Sequence, residues 1–254
     1  MSEFKPLISV ITVCYQAEEY IEQCINSVVL QSFENFEYIV IDGGSTDNTV
    51  KIIKKYADKL SYWSSKKDRG IAHAFNRGLK HAKGRWIVFL NSDDCYCDNQ
   101  VLSSVEETLL TCDDMELVYG QIQIIKRQEK ITPITPPIGA DWKWSDFRFR
   151  STISHPASFT HQRFFKMYGE FDESYRNALD YEFYLRAGSN LKVKFIPQRL
   201  AWMRDGGISK REAYRSYRES KDAHVKHNIF NKYVANIIYI HYVIRVFLHG
   251  LFKS

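Results

Sequence analysis

Short apolar runs that stop abruptly in polar residues set the frame of this chain. Leu7 to Val13 (LISVITV), Tyr38 to Ile41 (YIVI) and Trp86 to Leu90 (WIVFL) are rich in β-branched and aromatic residues, and each predicts a buried strand. Between them, apolar residues recur at helical spacing: Ile21, Cys24, Ile25, Val28 and Val29, then Val50, Ile53, Ala57 and Leu60, then Ile71, Ala74, Phe75 and Leu79. Strand, helix, strand, helix, helix, strand before residue 91 predicts an α/β fold, a single Rossmann-like, mostly parallel sheet flanked by helices. In such sheets ligands bind beyond the carboxyl ends of the strands. Here those ends carry Tyr15 and Gln16, Asp42, and Asn91-Ser92-Asp93-Asp94.

That convergence is what a nucleotide pocket needs. A carboxylate such as Asp42 accepts bonds from a base or a ribose, and an aromatic such as Tyr15 packs on a ring. Acidic oxygens at Asp93 and Asp94 suit a hard divalent cation. A competing reading makes Asp93 or Asp94 the cap of a helix starting near Gln100. Gly43 and Gly44 allow a tight turn, but neither GxGxxG nor GxxxxGK[ST] occurs. Phosphates would therefore be neutralised mainly by a cation and by basic side chains.

Four segments, VCYQ from Val13, YIVIDGGSTDNT from Tyr38, DRGIAHAFNRG from Asp68 and FLNSDD from Phe89, together resemble the donor half of family 2 glycosyltransferases of the GT-A fold. The resemblance is to the branch that assembles bacterial surface polysaccharides. It implies a nucleotide-diphosphate sugar, expected to be a UDP-sugar, and Mn²⁺ or Mg²⁺. It also implies that Asp42 holds the base, with Val13, Tyr15, Asp68 and Arg69 in the same pocket. Asn91 falls at the first position of the DxD motif, near the ribose and beside Ser92. Asp93 falls at the metal-ligand position, and Asp94 supports it or touches the sugar. Departures from the usual pattern are Asn91 for Asp, Gln16 for Asn, Phe75 for Arg, Lys66-Lys67 for an acidic residue and Pro, and Ala72-His73 for Tyr-Asp. Asn91 keeps open a non-catalytic sugar-nucleotide binder or partner-binding pseudo-transferase. A sugar-nucleotide nucleotidyltransferase would need a glycine-rich basic loop after its first strand, and VCYQAEEY has no glycine.

In the second half, Leu117 to Gly120 predicts another strand, and residues 126 to 140, with three prolines, a connector. Asp180 in Ala178-Leu179-Asp180-Tyr181-Glu182 opens a helix, where a carboxylate serves as a cap or as the base that sugar transfer requires. The resemblance makes Asp180 the base of an inverting reaction, places His155 beside the acceptor, and matches Gly206-Gly207-Ile208-Ser209 to a mobile flap whose Arg204 reaches the diphosphate. The expected division is residues 1–125 for the donor, 126–209 for acceptor and base within the same domain, and 210–254 as a basic, amphipathic helical tail.

Composition and charge bound the class further. Hydrophobic content of 44% and charged content of 26% are those of a globular protein. Five scattered cysteines without CxxC argue against a disulfide framework or a zinc site. The N-terminus does not read as a signal peptide, so a cytoplasmic location is expected. Net charge is +5, yet Lys194 to Ser254 holds 12 Lys/Arg against 4 Asp/Glu, a surplus of +8. No nucleic-acid-reading motif accompanies this charge. The apolar stretch from Ile229 to Phe252, interrupted by Asn236, His241, Arg245 and His249, makes a poor membrane span. It suits a helix lying on the inner face of an anionic membrane and meeting a glycan or lipid-linked acceptor there, or one packed on a second subunit as a homo-oligomer.

Overall fold

Every residue of Ile8–Cys14 (β1) is buried, because this strand is flanked on both edges and covered on both faces. The computed structural model describes residues 5–128 and 130–251, without the side chains of 249–251. After β1 come α1 (Ile21–Val29), β2 (Phe36–Asp42), α2 (Thr49–Lys55), β3 (Tyr62–Ser65), α3 (Ile71–Leu79), β4 (Trp86–Asn91) and β5 (Cys95–Tyr96). Next are α4 (Val101–Thr111), β6 (Leu117–Ile125), α5 (Trp144–Phe147), β7 (Ser158–His161), α6 (Gln162–Tyr168) and α7 (Leu179–Leu185). The chain continues through β8 (Val193–Arg204), α8 (Ile208–Arg211), α9 (Ala213–Lys226) and α10 (Lys232–Leu251).

The eight strands form one sheet in the order β3-β2-β1-β4-β7-β6-β8-β5. Four of its pairings are parallel; β7 runs antiparallel to both β4 and β6, and β5 antiparallel to β8. The parallel register sets Cys14 beside Asp42 and Val13 beside Asn91, so the ends of β1, β2 and β4 lie level at one edge. Two apolar layers sandwich the sheet. Ile21, Cys24, Ile25 and Val28 of α1 pack with Val101, Leu102 and Val105 of α4 on one face. Phe75 of α3, Phe164 of α6 and Phe183 of α7 lie in the cluster on the other.

The structure corrects the sequence reading in three places. A strand, β3, separates α2 from α3, and the helix expected to run to Leu60 ends at Lys55 with a short 3₁₀ turn at Ala57–Lys59. The strand at Leu117 runs on to Ile125, because β8 pairs along its whole length. Arg204, expected to ride on the flap of Gly206 to Ser209, instead closes β8. The connector stays irregular but folds back, with Ile138 and Pro133 bridging to β6.

The tail is tied to the sheet by two buried carboxylates. Glu219 of α9 accepts the backbone N–H groups of Arg176, Asn177 and Ala178 at 3.1, 2.7 and 3.0 Å, serving the chain just before α7. Glu182 of α7 has no exposed surface and accepts from Arg186, Lys226 and His227 at 2.6, 2.9 and 2.7 Å. Part of the tail's positive charge is therefore consumed within the fold. Tyr217 of α9 stacks on Tyr242 of α10 with ring centroids 4.8 Å apart. Among the described residues, no helix is long and apolar enough to cross a membrane.

Burial alone would raise the pKa of Glu182, but its bonds to His227, Arg186 and Lys226 hold it down at about 2. A depressed carboxylate stabilises the fold above its unfolded pKa and loses that contribution as pH falls through the folded one. Urea unfolding should therefore show about 3 kcal/mol lost between roughly pH 4.5 and 2, a loss absent in Glu182→Gln. Glu219→Ala strands three N–H groups. It should cost on the order of 3 kcal/mol and speed amide exchange at residues 176–178 ahead of the rest of the chain.

Candidate active site

The level strand ends are shaped by side chains that satisfy buried backbone groups. Asp42 has no exposed surface; its carboxylate accepts Gly44 N–H at 3.0 Å, Ser45 N–H at 2.9 Å, and the hydroxyls of Ser45 and Ser65 at 2.5 and 2.6 Å. With its oxygens so engaged, Asp42 builds the loop after β2. Gln16, at a positive φ of 51°, stitches the loop after β1 to the same turn through the N–H groups of Thr46 and Asp47. A Cβ on Gly44 would come within 2.9 Å of the Lys67 backbone nitrogen, and one on Gly43 within 2.5 Å of the Asp68 carboxylate. The glycines thus let Asp68 and the exposed ring of Tyr15 close over the end of β2. Tyr15, Gly43 and Asp68 lie together at this end, and buried Val13 is part of the core. Arg69 turns away and pairs with Glu173 at 2.6 Å.

At the end of β4 the four polar residues divide their tasks. Asp94 is buried and accepts Arg204 N–H at 3.1 Å and, at a longer 3.5 Å, the amide of Asn91. Burial, then the charge of Asp93, pushes the Asp94 carboxyl well above the usual carboxylate range. Asn91 therefore donates where an Asp would add a further negative charge. Ser92 is part-exposed at the same turn. Asp93 is 27% exposed and pairs with Arg127 at 3.0 Å. Neither aspartate caps α4, whose N-cap is Gln100; Asp98 accepts the N–H of that residue instead.

Arg204 differs from its expected role. It is buried, lies 4.1 Å from the centroid of the Tyr20 ring, and donates to the carbonyls of Lys126 and Gln128 and to the Gln23 side chain. As the last residue of β8 it is fixed in the sheet, and it clamps the connector rather than riding on a flap. The clamp presents Arg127, which also lies over Tyr20, to Asp93. Arg127 is the cation that sequence reasoning missed. Its place depends on a contact between residues 34 apart, and only its position in a basic connector hinted at it.

Asp180 lies in the first turn of α7, and one oxygen accepts the N–H of Tyr181 at 2.8 Å. Its other oxygen is 3.9 Å from Nδ1 of His155. Glu182, two residues on, points into the buried ion cluster, so the two carboxylates face different surroundings. His155 stacks on both Phe75 and Phe89, and neither ring nitrogen has a hydrogen bond among the described residues. Burial lowers its pKa, against the opposing charge of Asp180. Asn91, Asp180, His155 and Phe75 line one cavity of about 1190 Å³, which continues between α9 and α10. The cavity connects donor-side and base-side candidates that are 89 positions apart.

Among the described residues no cluster of three His, Cys, Asp or Glu side chains stands ready to hold a metal. The donor set fits a different arrangement. One accessible carboxylate, Asp93, beside the Asn91 amide is enough to anchor a cation whose remaining ligands are phosphate oxygens and water, as is usual for Mg²⁺.

Comparison with known proteins identifies the family and the fold. The glycosyl transferase family 2 model matches residues 9–204. A PGL/p-HBAD biosynthesis glycosyltransferase of Mycobacterium bovis is 29% identical over 188 residues, 73% of this chain and 71% of the relative. The putative teichuronic acid biosynthesis glycosyltransferase TuaG of Bacillus subtilis is 37% identical over 109 residues, 42% of this chain and 43% of the relative. Among solved structures, S. aureus TarS 1-349 in complex with UDP-GlcNAc superposes with a TM-score of 0.67 at 19% identity, over 93% of this chain and 71% of TarS 1-349. Mannosyltransferase PcManGT from Pyrobaculum calidifontis, in complex with GDP-Man and Mn²⁺, gives 0.66 at 18%, over 90% of this chain and 66% of that one. This chain belongs to glycosyl transferase family 2, and its mixed sheet flanked by helices is the GT-A fold.

Proposed function

We propose that this glycosyltransferase moves a sugar, with inversion, from a nucleoside-diphosphate donor to a hydroxyl of a glycan or lipid-linked acceptor in surface-polysaccharide assembly. The observation that carries the reading is the single cavity lined by Asn91 at the end of β4 and by Asp180 at the start of α7. Relatives described as acting in PGL/p-HBAD and teichuronic acid biosynthesis support the polysaccharide context. We take the donor to be a UDP-sugar, as bound by TarS; PcManGT, equally similar, was solved with GDP-Man.

The base would rest against Tyr15 and Asp68, and the diphosphate would lie toward Asp93 and Arg127. Asp93 would hold Mn²⁺ or Mg²⁺, which when bound supplies positive charge to the leaving diphosphate. The acceptor hydroxyl gives its proton to Asp180 as its oxygen bonds to the anomeric carbon. The bond from that carbon to the diphosphate breaks on the opposite face, and nucleoside diphosphate leaves. A single displacement inverts the centre. Neutral His155, with free ring nitrogens beside Asp180, hydrogen-bonds the same hydroxyl and fixes its direction. The outer face of α10, where Tyr233, Ile237, Ile240, Ile244 and Phe247 are exposed, supports peripheral contact with a membrane on the cytoplasmic side. The same stripe would serve a homodimer, and sedimentation with and without anionic vesicles separates the two.

Asp180→Asn keeps the shape of the site and removes the base. Turnover of a sugar nucleotide onto acceptor should fall by about 10²- to 10⁴-fold with little change in donor affinity; near-normal turnover would refute the assignment. Asp93→Ala should abolish metal-stimulated nucleotide binding. Arg127→Gln, which frees Asp93 from its ion pair, should tighten Mn²⁺ binding, read directly from the electron paramagnetic resonance signal of free Mn²⁺.

A further inference from the structure

Three positions before Asp180, at the entry to α7, Asn177 has every polar atom but one engaged. Its N–H donates to buried Glu219 of α9 at 2.7 Å, and its carbonyl accepts Ser209 Oγ at 3.5 Å. Its side-chain Nδ2 turns to Glu212, where the main-chain carbonyl and the carboxylate each accept at 3.4 Å. A carbonyl and a carboxylate accept only, so these partners themselves fix which end of the amide faces Glu212. Glu212 is held in turn by Arg176 and Arg215, each at 3.6 Å. Oδ1 is the atom left over. It is buried, on a residue only 8% exposed, and has no hydrogen-bond partner among the described residues. An unmet buried acceptor weakens a fold, and in a cavity wall it is poised for a donor that arrives with a ligand. Asn177 lines the same cavity as Asp180 and His155.

The three side chains offer different things to an acceptor. Asp180 takes the proton of the reacting hydroxyl, neutral His155 can donate from one ring nitrogen and accept at the other, and Asn177 Oδ1 only accepts. An acceptor with a single hydroxyl would leave Oδ1 unmet, whereas a sugar ring carries a further hydroxyl whose proton can fill it. Resting on the transferase reading above, we infer that Asn177 is a specificity-determining residue, whose Oδ1 accepts a hydrogen bond from a second hydroxyl of the acceptor sugar, beside the one that reacts at Asp180. A site built to pair with a hydroxyl discriminates strongly against the analogue that lacks it. Asn177 therefore selects against a sugar that is deoxygenated, etherified or already glycosylated at this second position. The segment around Glu212 and Glu219, which orients the amide, thereby takes part in acceptor choice.

The probes are p-nitrophenyl glycopyranosides of glucose, galactose, mannose, rhamnose and N-acetylglucosamine, titrated onto the full chain with UDP and Mn²⁺ present and followed by saturation-transfer NMR. For the tightest binder, each monodeoxyfluoro analogue is compared with its parent, because fluorine resembles a hydroxyl in size but donates nothing. Binding should weaken about tenfold or more at two positions, one for the hydroxyl at Asp180 and one for the hydroxyl at Asn177. Asn177→Ala should erase one of the two losses, leaving parent and that analogue within about twofold of each other. A merely structural role would weaken all glycosides alike and leave the ratio standing. Where Asn177→Ala does not fold, the series on the unmodified chain decides. Loss at fewer than two positions, both losses preserved in folded Asn177→Ala, or no glycoside bound by a chain that binds UDP would overturn the inference and leave the transferase reading in place. If neither UDP nor any sugar nucleotide binds, the transferase reading falls with it.

Discussion

The parallel register of β1 with β2 and β4 is the constraint on which the site depends. A strand slipped by one residue would turn its core face to the other side of the sheet. Here it would also separate Cys14 from Asp42 and Val13 from Asn91. The turn after β2 leaves the N–H groups of Gly44 to Asp47 at this edge, and the side chains of Asp42 and Gln16 accept them. The loops that result hold Tyr15 and Asp68 near one another without either being part of the core. Stability and recognition share residues here but divide atoms between them. The buried carboxylates, Asp42 and Asp94, serve the backbone, whereas Asp68 and Asp93 are left partly exposed at the same edge.

The strands that form the centre of the sheet were legible because both of their faces are buried, which makes them continuous apolar runs. β3, with the sequence Tyr-Trp-Ser-Ser, sits at the sheet edge and is only half-buried, so no run announces it. β8 is interrupted by Pro197 and by charged residues, and its register with β6 shifts between Tyr119 and Gln121, where Gly120 makes room for Leu200. Such a strand is recognisable only beside its partner. The motif residues at the ends of β2 and β4 and at the start of α7 stood out in the sequence. What their side chains do did not, because burial decides whether a carboxylate faces a ligand or a loop. Arg204 shows the point most clearly: as a sequence it is a basic residue before two glycines, and as a structure it is a buried clamp that delivers Arg127.

The C-terminal helices belong to the candidate site as much as to the surface. Glu219 fixes the chain that carries Asp180, and Glu182 binds α7 to the end of α9. Changes in α9 therefore reach the candidate base directly, through hydrogen bonds to the residues just before it. The positive charge of the tail is likewise split between internal ion pairs and cations left free to meet an anionic partner.

The central claim is that the edge formed by β1, β2 and β4 seats a nucleoside-diphosphate sugar. Melting temperature measured across a panel of nucleotide sugars, with and without Mn²⁺, tests it most directly, since a ligand that binds only the folded state raises it. A UDP-sugar should raise the melting temperature by several degrees, more with Mn²⁺ than without. A panel in which no nucleotide sugar shifts it under either condition would contradict the account.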